Sequence, residues 1–342
     1  MRLSTTVTYS GNPKASADQV AALERAGLDI AWVPEAYGFD SPTLMGYLAA
    51  KTERVEIGSA ILNLYSRTPA LLAQTAAGLD SISAGRAILG LGASGPQVIE
   101  GWHAVPYDRP LGRTREVIDI CRRAWRREVI TNAGIYQIPL PADQGTGLGK
   151  PLKMLTHPVR ADIPIYVAAL GEKNVRLAAE IADGWLPILF LPEKAKEVWG
   201  RPLAEGAAKR SSELGPLQIS AGGMLAIGED VAGLRDAARP FVALYVGGMG
   251  ARGRNFYNDL AKRYGYEKEA EHIQELYLSG RKEEAAAAVP AEMVELMNLV
   301  GPASYVRERI EAFKEAGVNV LQVTPVGEDP VRLVEQVKEW LS

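Results

Sequence analysis

Gly90, Gly92 and Gly95, in the run GLGASGPQ, are spaced as G-x-G-x-x-G and follow the strand-like segment RAILGLG directly. Glycines so placed let backbone amides come close to a phosphate. A second stretch, VAALGEKNVRLAA, sets Gly171, Lys173 and Asn174 at a strand-to-helix turn, where unpaired amides and the helix dipole favour an anion. Lys173 and Arg176 there are either contacts to a polyanionic group or plain solvated helix residues. Glu35, in VPEAYG, is an acid at the end of a strand-like run. A carboxyl buried at that position would rise in pKa and serve as a general acid; the alternative is a rim salt bridge.

A dinucleotide-binding turn would follow the first strand, open straight into a helix and meet an acid about 20 residues on. The glycine run here follows the fourth strand-like segment. After Gly95 the chain passes through Pro106, Pro110 and Gly112 before the helical pattern RTREVIDICRRAWRR begins. The motif therefore belongs to another architecture.

Eight β-rich runs alternate with helical patterns: LSTTVT, DIAWVP, VEIGSAIL, AILGLG, IPIYVAAL, GWLPIL, LQISAGGMLAIG and VNVLQVTPV. They are apolar on both faces, as parallel strands covered by helices are. Thr68 before Pro69 reads as a helix cap, and Gly27 as the close of the first helix. The expected fold is α/β, a (β/α)8 TIM barrel in a single domain spanning 1–342. Barrels of this kind take about 250 residues, which leaves roughly ninety for insertions. A long Gly- and Pro-rich loop after strand 4 and helix 4, at about 130–162, holds one part. A helical insertion after strand 7, at about 240–300, holds the other. In such a barrel, residues just past the strands build the site, and the glycine loop, Glu35 and the GEKN turn all fall there.

The 342 residues are 47% hydrophobic and 23% charged, with a formal net charge of -3. A folded protein follows, without the clustered Lys and Arg that nucleic acid or an anionic membrane surface requires. No apolar run approaches membrane-spanning length and the amino terminus has no signal-peptide pattern, so the expectation is a cytoplasmic protein. Cys121, the one cysteine, belongs to a helix core. His103, His157 and His272 lack ligand spacing, so no metal site is expected.

The segments SRTPALLAQTAAGLDSISAGRAILGLGASGPQ, AWVPEAYG and VAALGEKNVRLAAEIADGWLP together resemble the bacterial luciferase-like superfamily. Within it they are most similar to the oxidoreductases that use the deazaflavin coenzyme F420, including proteins similar to methylenetetrahydromethanopterin reductase. The family fold is a (β/α)8 barrel with an excursion after strand 7, and its flavin or deazaflavin lies across the carboxyl ends of the strands. The resemblance implies a bulge with a non-proline cis peptide at Ala60-Ile61, pressed against the middle of the ring. It places Asn63 at the ring's polar edge. It wraps Gly92, Ser94, Gly95 and Gln97 around the cofactor side chain, and sets Ala168, Ala169, Gly171, Lys173 and Asn174 along the ring and the phosphate. Glu35 is the candidate for proton handling or for holding the ring edge. Tyr9 and Trp185 either line the substrate space or only pack.

Sugar-phosphate dehydrogenases of this family carry an Asp-His pair after strand 2 and a catalytic Glu after strand 4. This chain has Glu35-Ala36 and Pro96 at those places. Sugar-phosphate oxidation is thereby disfavoured, and His103 would have to reach back along its loop to supply the missing imidazole. The resemblance implies an F420-dependent hydride transfer to or from a small organic substrate, in a homodimer. An FMN-dependent monooxygenase and a non-catalytic cofactor-binding protein are the alternatives.

Overall fold

The structure, a computed structural model, describes residues 1–8 and 11–341, so Tyr9 lies outside the described residues. Eight parallel strands form the barrel: β1 (Arg2–Thr6), β2 (Ile30–Val33), β3 (Glu56–Ser59), β4 (Ala87–Gly92), β5 (Ile165–Ala168), β6 (Gly184–Leu186), β7 (Gln218–Ile227) and β8 (Val320–Pro325). Each pairs with the next, and β8 returns to β1 through Arg2 opposite Val320, which closes the ring. Seven lie within the runs that the sequence marks as strands, and β1 begins one residue ahead of LSTTVT. Every residue of β2 and of β4 is buried, as the two-sided apolar pattern requires.

Eight helices wrap the barrel, one after each strand: α1 (Pro13–Arg25), α2 (Ser41–Lys51), α3 (Pro69–Ile82), α4 (Pro110–Trp125), α5 (Glu172–Ile181), α6 (Pro192–Ala207), α7 (Ala303–Glu315) and α8 (Pro330–Leu341). The Thr68 hydroxyl accepts from the Leu71 amide at 3.2 Å and caps α3 ahead of Pro69. Gly27 ends α1 with φ +99°, a left-handed conformation that favours glycine. Cys121 is fully buried in α4, and its burial pushes the thiol up to about 12.

Between α4 and β5 the chain forms a small antiparallel hairpin, Asn132–Ala133 with Gln137–Ile138, and a turn of 3-10 helix at Ala142–Gln144. The Glu116 carboxylate of α4 fastens this loop, accepting from the Ile135 and Tyr136 amides at 2.9 and 3.0 Å. After β7 comes the helical excursion, ending in Phe256–Arg263, Glu267–Leu278, Lys282–Ala287 and Ala291–Leu296. The excursion closes with a short strand that the sequence reading did not anticipate. Leu299–Gly301 pairs parallel with the last residues of β7, Leu225 to Ile227, and sends the chain into α7. Among the described residues no helix is long and apolar enough to cross a membrane.

Candidate functional site

The pairing of β3 with β4 is interrupted once. Ile57 and Gly58 of β3 face Ala87 and Ile88; pairing resumes with Leu62 opposite Leu91 and Asn63 opposite Gly92. In the gap the Ala60-Ile61 peptide is cis, at the position implied by the family resemblance. The glycines of the opening motif make room for this bulge. Ser59 Oγ donates to the Gly90 carbonyl at 2.8 Å and accepts from the Gly90 amide at 2.9 Å. A Cβ on Gly90 would stand 1.7 Å from the Ser59 carbonyl oxygen, and one on Gly92 would stand 2.9 Å from Ile61 Cγ1. Gly90 and Gly92 are thus required by close packing in the barrel rather than by a nucleotide turn. Gly95 begins the short helix Pro96–Gly101, its carbonyl accepting from the Val98 and Ile99 amides.

A cavity of about 980 Å³ opens at the carboxyl ends of the strands, at the upper end of the usual range for small-molecule sites. Ala60, Ile61, Gly92, Ser94, Ala168, Ala169, Gly171, Lys173 and Asn174 all line it, so nine residues named from the sequence meet in one space. At one end α5 begins at Glu172 behind Gly171, with no side chain capping it. The first amide of this turn bonded within the helix is that of Val175, to the Gly171 carbonyl at 2.9 Å. The preceding amides and the helix dipole suit an anionic group. Ala36, Ser94 and Leu189, three further lining residues, have φ of 49°, 56° and 53°. Left-handed non-glycine residues cost roughly 1–2 kcal/mol each and tend to gather where a ligand is held.

Five expected residues are placed otherwise. Glu35 is buried and outside the cavity wall; its carboxylate accepts from Arg67 Nη1 and Nη2, both at 2.7 Å, and from the Ser41 amide at 3.0 Å. The expectation of a free general acid is corrected to that of a clamped carboxylate, whose neighbours Ala36 and Tyr37 form the wall. Asn63, expected at the ring's polar edge, is not among the residues that line the cavity. Its Oδ1 accepts from the Tyr65 and Ser66 amides at 3.0 and 2.7 Å, and its Nδ2 lies 3.3 Å from His103 Nε2. His103 is therefore a partner of the β3–α3 loop and does not line the cavity. Gly95 and Gln97 also lie off the wall, Gln97 in the exposed first turn of its short helix. Trp185 is fully buried among Phe190 and Trp199, its indole donating to the Ala169 carbonyl at 2.9 Å, so packing accounts for it. Arg176 pairs with Glu205 at 3.1 Å.

Other wall residues were not singled out in the sequence. On the floor, Gln322 Nε2 of β8 donates to Thr6 Oγ1 of β1 at 2.8 Å. Strand ends in adjacent β1 and β8 carried this signal, but neither residue type stands out in a run. The excursion adds Phe241, Tyr245, Met249, Phe256 and Tyr257. No spacing in the sequence ties those residues to the barrel mouth, because the excursion folds over it only in three dimensions. Tyr107, also in the lining, stacks on Tyr65 at 5.2 Å, and burial raises the pKa of both hydroxyls, keeping them protonated donors.

Residues 1–320 match the family described as luciferase-like monooxygenase. The chain belongs to the luciferase-like family of enzymes. Within that family it is 44% identical, over 97% of each chain, to a Mycobacterium tuberculosis protein classed as a coenzyme F420-dependent oxidoreductase. It is 29% identical to the 5,10-methylenetetrahydromethanopterin reductase of Archaeoglobus fulgidus, over 93% of this chain and 92% of the other. Among solved structures, the coenzyme F420-dependent tetrahydromethanopterin reductase of Methanopyrus kandleri superposes with a TM-score of 0.80 at 24% identity, covering 98% of this chain and 96% of that one. An F420-dependent secondary alcohol dehydrogenase in complex with an F420-acetone adduct gives 0.74 at 18% identity, over 100% and 99%. Both structures share the luciferase-like barrel of this chain.

Proposed function

We propose that this luciferase-like enzyme is an F420-dependent oxidoreductase that moves a hydride between the deazaflavin and a small organic substrate. The observation that carries the reading is the union, in one cavity, of the Ala60-Ile61 ridge and the uncapped first turn of α5. A planar ring and an anionic tail need those two features. The 44% identity to a protein classed as F420-dependent supports the deazaflavin over FMN.

When bound, F420 supplies a carbon, C5, that donates or accepts hydride. The chain's residues do the rest. Ala60 and Ile61, which line the cavity, would support the ring. Gly92 and Ser94 would border its side chain, while the amides before Val175 and the Lys173 ammonium would hold a phosphate. Apolar walls such as Leu186, Ile188 and Met224 exclude water, so that substrate and hydride donor meet in a fixed arrangement.

Parallel titrations of the purified protein with F420 and FMN, read by fluorescence quenching, test the proposal. Tighter F420 binding, followed by anaerobic reduction of F420 by a substrate, is expected. A preference for FMN together with oxygen uptake would replace this reading with a monooxygenase. Binding of neither would remove the cavity's assignment to a flavin-like cofactor.

A further inference from the structure

The cavity divides chemically. Among the described residues that line it, only Glu172 and Lys173 carry a charge, and both belong to the first turn of α5, which suits an anionic tail. Another part of the wall comes from the excursion and is aromatic and thioether: Phe241 meets Tyr245 at 4.6 Å and Tyr245 meets Tyr257 edge-on at 4.8 Å, and Met249 and Phe256 line the same cavity. Glu35, which precedes the lining residue Ala36, is taken up by Arg67.

Tyr257 differs from its neighbours. Burial pushes its pKa up, with Tyr245 and Tyr107 adding to the shift, so the hydroxyl stays protonated at neutral pH. Tyr107 spends its hydroxyl on the Ser94 carbonyl at 3.4 Å, and Asn258, the residue after Tyr257, bonds Val246 and Ala270. The Tyr257 hydroxyl makes no hydrogen bond to the described residues, although the residue lines the cavity. A donor left open in an apolar pocket is one that a ligand oxygen completes, since such pockets fix orientation by a few placed polar groups.

Resting on the proposed function, we infer that the excursion side of the cavity takes an uncharged, largely apolar substrate whose carbonyl or hydroxyl oxygen is hydrogen-bonded by Tyr257. Anionic substrates are disfavoured because, among the described residues, the excursion contributes no cation to the cavity lining, and burying an unpaired carboxylate there carries a heavy desolvation cost.

The test uses three probes of one shape: 4-phenylcyclohexanone, phenylcyclohexane, and the ketone bearing a para-carboxylate on its ring. Each is titrated calorimetrically into the purified protein, with and without F420. The ketone should bind at least tenfold more tightly than its carboxylate. Tyr257→Phe should weaken the ketone about fivefold, one neutral hydrogen bond, and leave the hydrocarbon unchanged. The wild-type comparison needs no variant, so a poorly folding Tyr257→Phe leaves the charge preference measurable. Equal or tighter binding of the carboxylate, no ketone binding at millimolar concentration, or an equal loss for ketone and hydrocarbon in Tyr257→Phe would overturn the inference. These outcomes are separable from failure of the F420 reading, because the probes are also titrated without the cofactor.

Discussion

Arg67 donates to both carboxylate oxygens of Glu35, each at 2.7 Å, and its Nη2 also reaches Asp40 at 2.6 Å. Arg67 and Glu35 side chains are 12% and 8% exposed, so the pair is shielded from solvent. It ties the segment after β3 to the turn after β2, which carries Ala36 and Tyr37 into the cavity wall. Removing one partner strands a buried charge, and Arg67→Ala is expected to lower stability by about 3–5 kcal/mol, with Glu35→Gln losing less. Urea denaturation measures this. An Arg67→Ala midpoint equal to wild type would deny the pair its structural role. A hundredfold loss of turnover in a fully stable Glu35→Gln would restore Glu35 as a proton donor.

The two glycines before the loop should respond to alanine differently. On Gly90 the added methyl meets a backbone oxygen, which no side-chain rotation relieves, so Gly90→Ala should exceed the 1–3 kcal/mol of ordinary overpacking and abolish soluble expression. On Gly92 the methyl meets the flexible end of Ile61. Gly92→Ala should stay within about 1–3 kcal/mol of wild type while shifting Ile61 and weakening F420 binding roughly tenfold. Thermal melts and cofactor titrations separate the two. Equal stability of both variants would rule out the packing account of the motif.

Lys173 lies in the first turn of α5 and, among the described residues, has no ion-pair partner. Reversing its charge adds a like charge where an anionic tail is proposed, so Lys173→Glu should weaken F420 binding about tenfold at low salt. Because the side chain is exposed, the difference should fade as ionic strength approaches about 1 M. An effect that persists at high salt would point to a conformational cause instead.

Strands such as β2 and β4 were legible because they are buried on both sides, and no polar position interrupts AILGLG. The cavity residues of the strand ends were legible for the same reason: they close those strands or follow them within a few positions. Partnership across the sequence was not. Glu35 and Arg67 come from the loops after two different strands, and neither residue carries a local mark of the other. Asn63 was read outward from the bulge, yet two amides of its own loop claim its oxygen. The aromatic wall was hidden most deeply, since the helices of the excursion have no fixed spacing to the strands they cover.

Glu24 offers the clearest pH signature. The carboxylate, at the end of α1, is 7% exposed and accepts from the Glu53, Arg54 and Val55 amides at 3.0, 2.6 and 2.7 Å. Burial pushes its pKa up, but the three amides and Arg54 together outweigh it and hold it below the ordinary value of 4.5. A folded-state pKa below the unfolded one means stability that is present above about 4.5 and lost as pH falls through the folded value. Glu116, held by the Ile135 and Tyr136 amides, acts in the same direction. Urea midpoints of wild type should therefore climb from about pH 3 to about pH 5. Glu24→Gln, whose amide nitrogen opposes those donors, should be less stable at neutral pH, and the gap should close toward pH 3. Parallel curves for the two proteins over that range would show that the Glu24 charge contributes nothing to acid sensitivity.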